Sequence, residues 1–127
     1  MPDRASNPIF DHKDGLVLAV QYKLEQHFAL PLSVAAMAAW VHVSPRTLQR
    51  RFQAATGESP IRYLQKLRLG KAQEKLENSR LSLEEIVIDV GYEDISSFRR
   101  LFHQQYGLSP SRYRQRFSFP QTKERSE

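Results

Sequence analysis

The sequence predicts an all-α protein built from two copies of one helical unit. Three observations lead to this fold class: an internal repeat, apolar residues that recur at helical spacing in both copies, and similar cap residues at corresponding helix ends. The chain has 127 residues, 40% of them apolar, which is the size of one average domain with material for a core. A folded domain is therefore expected rather than a disordered tail.

The repeat has a spacing of about fifty residues. At a shift of 49, the segment 32–38 aligns with 81–87. One residue is gained in the second copy, within 91–95, where a turn tolerates an insertion. At a shift of 50, Leu48-Gln49-Arg50-Arg51-Phe52 aligns with Phe98-Arg99-Arg100-Leu101-Phe102, and Gly57-x-Ser59-Pro60-x-Arg62-Tyr63 aligns with Gly107-x-Ser109-Pro110-x-Arg112-Tyr113.

The first helix of each copy carries one apolar stripe and begins after a serine. Ser33 and Ser82 stand at N-cap positions, and Ser82 with Glu85 forms a capping box that the first copy lacks. The stripes recur at i, i+3, i+4 and i+7, and they consist of Val34, Met37, Ala38 and Val41 in the first copy and Leu83, Ile86, Val87 and Val90 in the second.

The second helix of each copy follows a short turn and is basic. Ser44 and Pro45 supply an N-cap and a first-turn proline, and Asp94 is the expected cap in the other copy. Gly57 and Gly107 are expected to end these helices. Two helices joined by a tight turn, the second of them basic, are typical of the helix-turn-helix motif. The side chains expected in the core are Leu48, Phe52 and Ala55, and then Phe98, Phe102 and Tyr106.

Two further helices are expected outside the motifs. One is a linker helix, roughly 25 Å long, that contains Leu64, Leu67, Ala72 and Leu76 and no interior proline. The other carries the stripe Val17, Val20, Leu24 and Phe28, ends before Pro31, and is expected to cover the first unit. The predicted division is an irregular or disordered segment over 1–13, a first helix-turn-helix subdomain over 14–60, the linker helix over 61–78, a second subdomain over 79–117, and a flexible tail over 118–127.

The positive charge is concentrated in the two motifs. The chain has a net charge of +5, and its segments sum to −1 over residues 1–44, +6 over 45–75, −3 over 76–92, +3 over 93–118 and 0 over 119–127. A polyanionic partner is therefore permitted, and its charge would meet two separate basic segments.

Polar side chains without acids form the outward faces of the two basic helices. Arginine suits guanine and glutamine suits adenine in the major groove, and Thr47 and Ser97, at the helix starts, are placed for a phosphate. The competing interpretation is an ordinary solvated helix face, and the matched pair of faces favours nucleic acid. The outward residues are Arg46, Gln49, Arg50 and Gln53, and in the second copy Ser96, Arg99, Arg100 and His103. Neighbouring cations are expected to lie near phosphates or to be solubilising charge, and they are Arg62, Lys66, Lys71, Arg112, Arg114 and Arg116.

With these motifs the sequence resembles the AraC/XylS family of bacterial transcription regulators. The resemblance covers about residues 16–116, and its most specific part is the second-copy segment 91–102. It rests on Ser44-Pro45-Arg46-Thr47-Leu48-Gln49-Arg50-Arg51-Phe52, on Arg68-Leu69-x-x-Ala72, on Gly91-Tyr92-Glu93-Asp94-Ile95-Ser96-Ser97-Phe98-Arg99-Arg100-Leu101-Phe102, and on Gly107-Leu108-Ser109-Pro110-Ser111-x-Tyr113-Arg114.

The resemblance implies a seven-helix, homeodomain-like fold that reads double-stranded DNA with two recognition helices in successive major-groove segments, about one helical turn apart. It implies base contacts at Arg46, Gln49 and Arg50 and at Ser96, Ser97, Arg99 and Arg100, and a structural role for Arg68. As an activator, the protein is expected to contact RNA polymerase, for which the acidic stretch 76–92 is a candidate by position.

Two residues depart from the family pattern, and the chain also lacks a domain that many members carry. Val87 stands where alanine is frequent, which would widen a helix crossing, and His42 replaces a small turn residue. The motifs look closest to those of members with a DJ-1/PfpI amidotransferase-like domain ahead of this module. Since the 127 residues show no such domain, the chain is expected to be either an isolated DNA-binding domain, such as a fragment of a larger regulator, or one of the short single-domain regulators. The isolated domain is expected to be monomeric and an intact regulator dimeric. Trp40 lies off its helix's apolar stripe, and packing on the N-terminal helix is favoured over docking of that missing domain.

Other classes of function are disfavoured. The chain has no cysteine, its four histidines lack metal-ligand spacing, and it has no phosphate loop or nucleophile elbow. No catalytic residue, metal or cofactor is therefore expected, and the protein is not expected to be an enzyme. General nucleic-acid binding, including RNA, and a protein-interaction module are the alternatives, although stacking platforms for single strands are missing. Without an apolar leader or a membrane-length apolar run, a cytoplasmic location is expected and a membrane partner is not.

Overall fold

The computed structural model describes residues 10–118, and this part of the chain consists of seven helices with no strand. The all-α prediction is confirmed. The predicted irregular segment over 1–13 and tail over 118–127 lie largely outside the described residues. The helices are α1 (Gly15–His27), α2 (Val34–Trp40), α3 (Pro45–Thr56), α4 (Pro60–Asn78), α5 (Leu83–Asp89), α6 (Ile95–Tyr106) and α7 (Pro110–Phe117).

The predicted cap residues begin these helices. The Oγ atoms of Ser33 and Ser44 accept the amides of Ala36 at 3.0 Å and Thr47 at 3.1 Å. The capping box of α5 is complete, because Ser82 Oγ accepts the Glu85 amide at 3.1 Å while Glu85 Oε1 accepts the Ser82 amide at 2.9 Å. Each such cap stabilises its helix by about 1 kcal/mol.

Glycine ends both basic helices, as predicted. Gly57 has φ of 83° and Gly107 has φ of 78°, the left-handed conformation that side chains with a Cβ rarely adopt. Each glycine amide donates to a carbonyl of its own helix at 2.8 Å, that of Gln53 for α3 and that of His103 for α6. These bonds fix where each helix stops and the next begins.

The turn inside the first motif contains a left-handed residue that is not glycine. His42, between α2 and α3, has φ of 59°, and the matching residue between α5 and α6 is Gly91 with φ of 100°. A left-handed residue with a Cβ costs roughly 1–2 kcal/mol. The turn is therefore strained at His42, and the imidazole is exposed.

The chain folds as two compact units whose boundary falls inside α4, between Leu67 and Arg68. The first unit contains α1, α2, α3 and the start of α4, with Ala55 and Leu67 half-buried. Its core consists of Val17, Val20, Leu24, Met37, Ala38, Leu48, Phe52, Tyr63 and Leu64.

A series of hydrogen-bonded polar groups runs through the core of the first unit. The side chain of Gln21 is fully buried, and its Nε2 atom donates to the Tyr63 hydroxyl at 3.2 Å. Its Oε1 atom lies 2.9 Å from His12 Nε2, while His12 Nδ1 accepts the Asp14 amide at 3.1 Å. The imidazole thus donates to Gln21, and the buried amide is paired on both sides.

The second unit is built around aromatic side chains. Phe98 and Phe102 are fully buried and their ring centroids lie 5.7 Å apart, and Tyr113 meets Phe102 edge-on at 5.6 Å. The Tyr113 hydroxyl accepts from Gln73 Nε2 at 2.8 Å and donates to the Glu77 carboxylate. The remaining buried apolar residues are Leu69, Ala72, Leu76, Ile86, Val87 and Val90.

Candidate nucleic-acid interface

The outward face of α3 consists of the four predicted polar residues. Leu48 and Phe52 are fully buried, which orients the helix and leaves the opposite side in solvent. No acidic side chain occurs within α3 itself. The exposed set is Arg46, Gln49, Arg50 and Gln53.

The outward face of α6 is formed in the same way. Phe98 and Phe102 anchor the inner side, and no acidic residue lies within the helix. The predicted residues Ser96, Arg99, Arg100 and His103 are all exposed. Each of the two units therefore presents one polar, largely cationic helix face.

The two helices begin differently, although Thr47 and Ser97 occupy matching positions and are both half-buried. Ser44 is an uncharged cap, and its hydroxyl donates to Thr47 Oγ1 at 3.1 Å. In the second unit the Ser97 hydroxyl instead donates to Asp94 Oδ2 at 2.8 Å. That bond and the Ser96 amide hold the pKa of Asp94 below its ordinary value, so the start of α6 carries a carboxylate.

Arg51, which follows Arg50 in the first motif, turns away from the outward face. Its Nε and Nη2 atoms donate to the two carboxylate oxygens of Asp14, at 3.0 and 2.8 Å. Asp14 also caps α1, and the Arg51 bond lowers its pKa. The bidentate pair joins α1 to α3, and it was not predicted from the sequence.

Two of the neighbouring cations form contacts with other groups of the protein. Lys66 Nζ forms an ion pair with Glu58 Oε2 at 2.5 Å. The Arg114 guanidinium donates to the carbonyls of Leu81 at 2.7 Å, Ser79 at 3.1 Å and Leu76 at 3.2 Å, and it approaches that of Lys75 at 3.4 Å. For Arg114 the expectation of a phosphate neighbour or a solubilising charge is wrong, because this side chain closes the C-terminal end of α4.

Arg68 takes the structural position that the family resemblance implied. Its guanidinium lies over the Tyr92 ring, 5.7 Å from the centroid. Burial lowers the pKa of Arg68 and raises that of the Tyr92 hydroxyl. Tyr92 in turn packs edge-on against Phe98, with 5.4 Å between the centroids, so this arginine supports the turn before α6.

Trp40 packs on α1, the interpretation favoured from the sequence. Its ring centroid lies 6.2 Å from that of His27, and Lys23 Nζ lies 5.8 Å above the indole. The side chain is half-buried and belongs to the edge of the first core.

Residues 37–116 match the helix-turn-helix domain family, which is more than half of the chain and includes α3 and α6. The chain belongs to this family. The prediction from the motifs is thereby confirmed at the level of an AraC-family helix-turn-helix domain.

Relatives of this helix-turn-helix domain are transcription regulators. It is 42% identical over 94 residues to the HTH-type transcriptional activator RhaR of Pectobacterium carotovorum, a match that covers 74% of this chain and 33% of RhaR. The chain thus spans about a third of the length of the curated relatives it matches.

Solved structures agree with the fold. The C-terminal domain of AraT, a response regulator from Geobacillus stearothermophilus, superimposes with a TM-score of 0.80 at 31% identity, covering 84% of this chain and 88% of that one. The DNA-binding domain of the global transcriptional factor AdpA, solved in complex with a target DNA, has a TM-score of 0.76 at 32% identity, covering 80% and 91%.

Within residues 10–118, no three His, Asp or Glu side chains are grouped so that they could hold a metal ion. In the same part of the chain, no helix is both long and apolar enough to cross a membrane.

Proposed function

We propose that this chain is the sequence-specific DNA-binding domain of a bacterial transcription regulator, and that α3 and α6 each read one segment of the major groove. The main support is that two helices fifty residues apart in the sequence present matched, acid-free outward faces. A relative that was solved on DNA, AdpA, shares the fold over 80% of this chain. A duplex fits better than a single strand, because the exposed faces carry no aromatic stacking surface.

The proposed roles follow from side-chain chemistry. Arginine can donate two hydrogen bonds to guanine O6 and N7, and glutamine can pair with adenine. Arg46 and Arg50 on α3 and Arg99 and Arg100 on α6 are therefore assigned to guanine or to nearby phosphates. The remaining proposed contacts are Thr47, Gln49, Gln53, Ser96, Ser97 and His103.

Selection of bound sequences from a random duplex pool tests this proposal. The expected result is two enriched motifs about ten base pairs apart, because two recognition helices read successive groove segments. Affinity should also fall steeply with salt, with a log–log slope near −6 if about seven phosphates are neutralised. No enrichment, or equal competition by single-stranded RNA of random sequence, contradicts the proposal.

The protein-interaction surface that fits an activator is the outer side of α5. Ile88 is 70% exposed there, and the exposed acids Glu84, Glu85 and Asp89 lie on the same short helix. Asp89 also forms an ion pair with Lys75 at 3.9 Å. An exposed apolar side chain on a helix with several acids suits a basic partner surface with an apolar pocket. We assign this surface to RNA polymerase.

Transcription in vitro tests the assignment. Ile88→Asp should reduce activated transcription several-fold while the Kd for the selected duplex stays unchanged, because α5 carries none of the proposed base contacts. Ile61→Asp is the matched control, since Ile61 is also an exposed isoleucine, 40% accessible, and lies in the first unit. Equal loss in both variants contradicts the assignment.

The relatives are about three times as long as the matched region, so the intact regulator is proposed to contain a further domain. A DJ-1/PfpI amidotransferase-like domain, a dimeric whole protein, a cytoplasmic location and the absence of enzymatic activity in this module remain proposals. Analytical ultracentrifugation of this chain should give a monomer, and a stable dimer contradicts that part.

A further inference from the structure

The second unit contains a cleft beside the end of α6. Its volume is about 400 Å³, and its lining consists of Leu108, Arg112, Gln115 and Arg116. Leu108 is the second residue after α6, and the polar residues are on α7. Arg112 and Arg116 are four residues apart, so both guanidinium groups project from one side of the helix.

The matching place in the first unit carries a neutralising acid. There Glu58 stands at the position of Leu108, and it forms an ion pair with Lys66, which matches Arg116. Leucine in the second copy removes the carboxylate. Among residues 10–118, no carboxylate forms an ion pair with Arg112 or Arg116. The other two matched positions hold the same residues, because Arg62 and Gln65 align in the repeat with Arg112 and Gln115.

The cleft is held in place by the third arginine of α7. Arg114 points to the other side of the helix and bonds the carbonyls at the end of α4, which fixes the rotation of α7. Gln115 and the two cleft arginines are exposed. A ligand would therefore meet cationic groups on a backbone that is already ordered, and less conformational entropy is lost on binding.

We propose that this cleft binds a phosphodiester of the DNA strand that borders the groove read by α6. The proposal rests on the proposed function and adds a contact that the first unit lacks. Guanidinium groups bind the two non-bridging phosphate oxygens in bidentate fashion, the Gln115 amide can donate a further hydrogen bond to one of these oxygens, and Leu108 offers an apolar surface to the attached deoxyribose. A cleft of about 400 Å³ has room for the sugar as well as the phosphate.

Fluorescence anisotropy with a duplex of about 30 base pairs, three helical turns, tests the cleft over a range of salt concentrations. Leu108→Glu restores the acid of the first copy, and Arg112→Gln with Arg116→Gln removes the cations without adding charge. Both should raise Kd about three- to tenfold for every sequence and lower the salt slope by about one per phosphate lost. Arg80→Gln is the control, because it removes an exposed arginine outside the cleft, and it should change Kd less than about twofold.

The outcomes separate the two proposals. If the unmodified chain binds no duplex, the proposed function fails, and the cleft proposal fails with it. If it binds and both cleft variants, shown by circular dichroism to be folded, keep its Kd and salt slope, only the cleft proposal is overturned. In a separate titration, inorganic phosphate should shift the cleft NMR signals weakly and duplex should shift them strongly. If the cleft signals shift with inorganic phosphate but not with duplex, the assignment to the DNA backbone is overturned.

Discussion

Truncation of Arg114 should destabilise the domain strongly. The guanidinium makes hydrogen bonds of 2.7 to 3.2 Å to the carbonyls of Leu81, Ser79 and Leu76 and a weaker contact of 3.4 Å to Lys75. Hydrogen bonds from charged donors contribute about 1.5–3 kcal/mol each when buried. Because the arginine is only half-buried and such terms are not additive, Arg114→Ala should lower the free energy of unfolding by about 2–4 kcal/mol.

Urea denaturation followed by circular dichroism measures this loss. Arg112→Ala and Arg116→Ala are matched controls on the same helix, and as exposed positions they should change the free energy of unfolding by less than about 0.5 kcal/mol. The controls should weaken DNA binding, whereas Arg114→Ala should keep its affinity at temperatures where it remains folded. The reasoning is refuted if Arg114→Ala keeps full stability, or if it loses affinity while it remains fully folded.

Four further substitutions test the turn, the α1 anchor and the two recognition helices. His42→Gly should raise the free energy of unfolding by about 0.5–1 kcal/mol, because it removes the strain of a φ of 59°. If thermal denaturation instead shows a lower stability for this variant, the imidazole makes a stabilising contact. The Arg51 bond lowers the pKa of Asp14, so this carboxylate stabilises the fold above its unfolded pKa and less as pH falls through the folded pKa. The stability difference between the unmodified chain and Asp14→Asn should accordingly begin to shrink as the pH falls below about 5 and should continue to shrink as the pH falls through the lowered folded pKa, and a constant difference contradicts the pairing. Arg50→Ala and Arg100→Ala should each cost about 1–3 kcal/mol of binding and relax preference at one base pair in a repeated selection, whereas uniform weakening would identify a phosphate contact.

Local signals in the sequence predicted the helices well, because caps and stops act over a few residues. Ser33, Ser44 and Ser82 begin helices where they were expected, and Gly57 and Gly107 end them. The orientation of the two recognition faces followed from apolar periodicity, which is also local. Whether the exposed residues contact DNA stays a prediction.

The arginines that turned inward depend on contacts between distant segments, which local patterns do not report. Arg51 pairs with Asp14, which lies 37 residues away in the sequence. Arg114 donates hydrogen bonds to carbonyls that lie more than 30 residues away. Signals for both were nevertheless present. Arg51 stands beside the buried stripe of Leu48 and Phe52, and Arg114 aligns in the repeat with Leu64, which is buried.

The hydroxyl groups at the start of the two recognition helices have opposite hydrogen-bond polarity. Thr47 accepts a hydrogen bond from Ser44, so its own hydroxyl hydrogen is available to donate to a phosphate oxygen. Ser97 donates its hydrogen bond to the Asp94 carboxylate, which can only accept, so only the lone pairs of the Ser97 hydroxyl remain for a ligand. An acceptor at that place suits the exocyclic amino group of adenine or cytosine and repels a phosphate. Equivalent residues of a duplicated motif are thus suited to different chemical groups of the same nucleic acid.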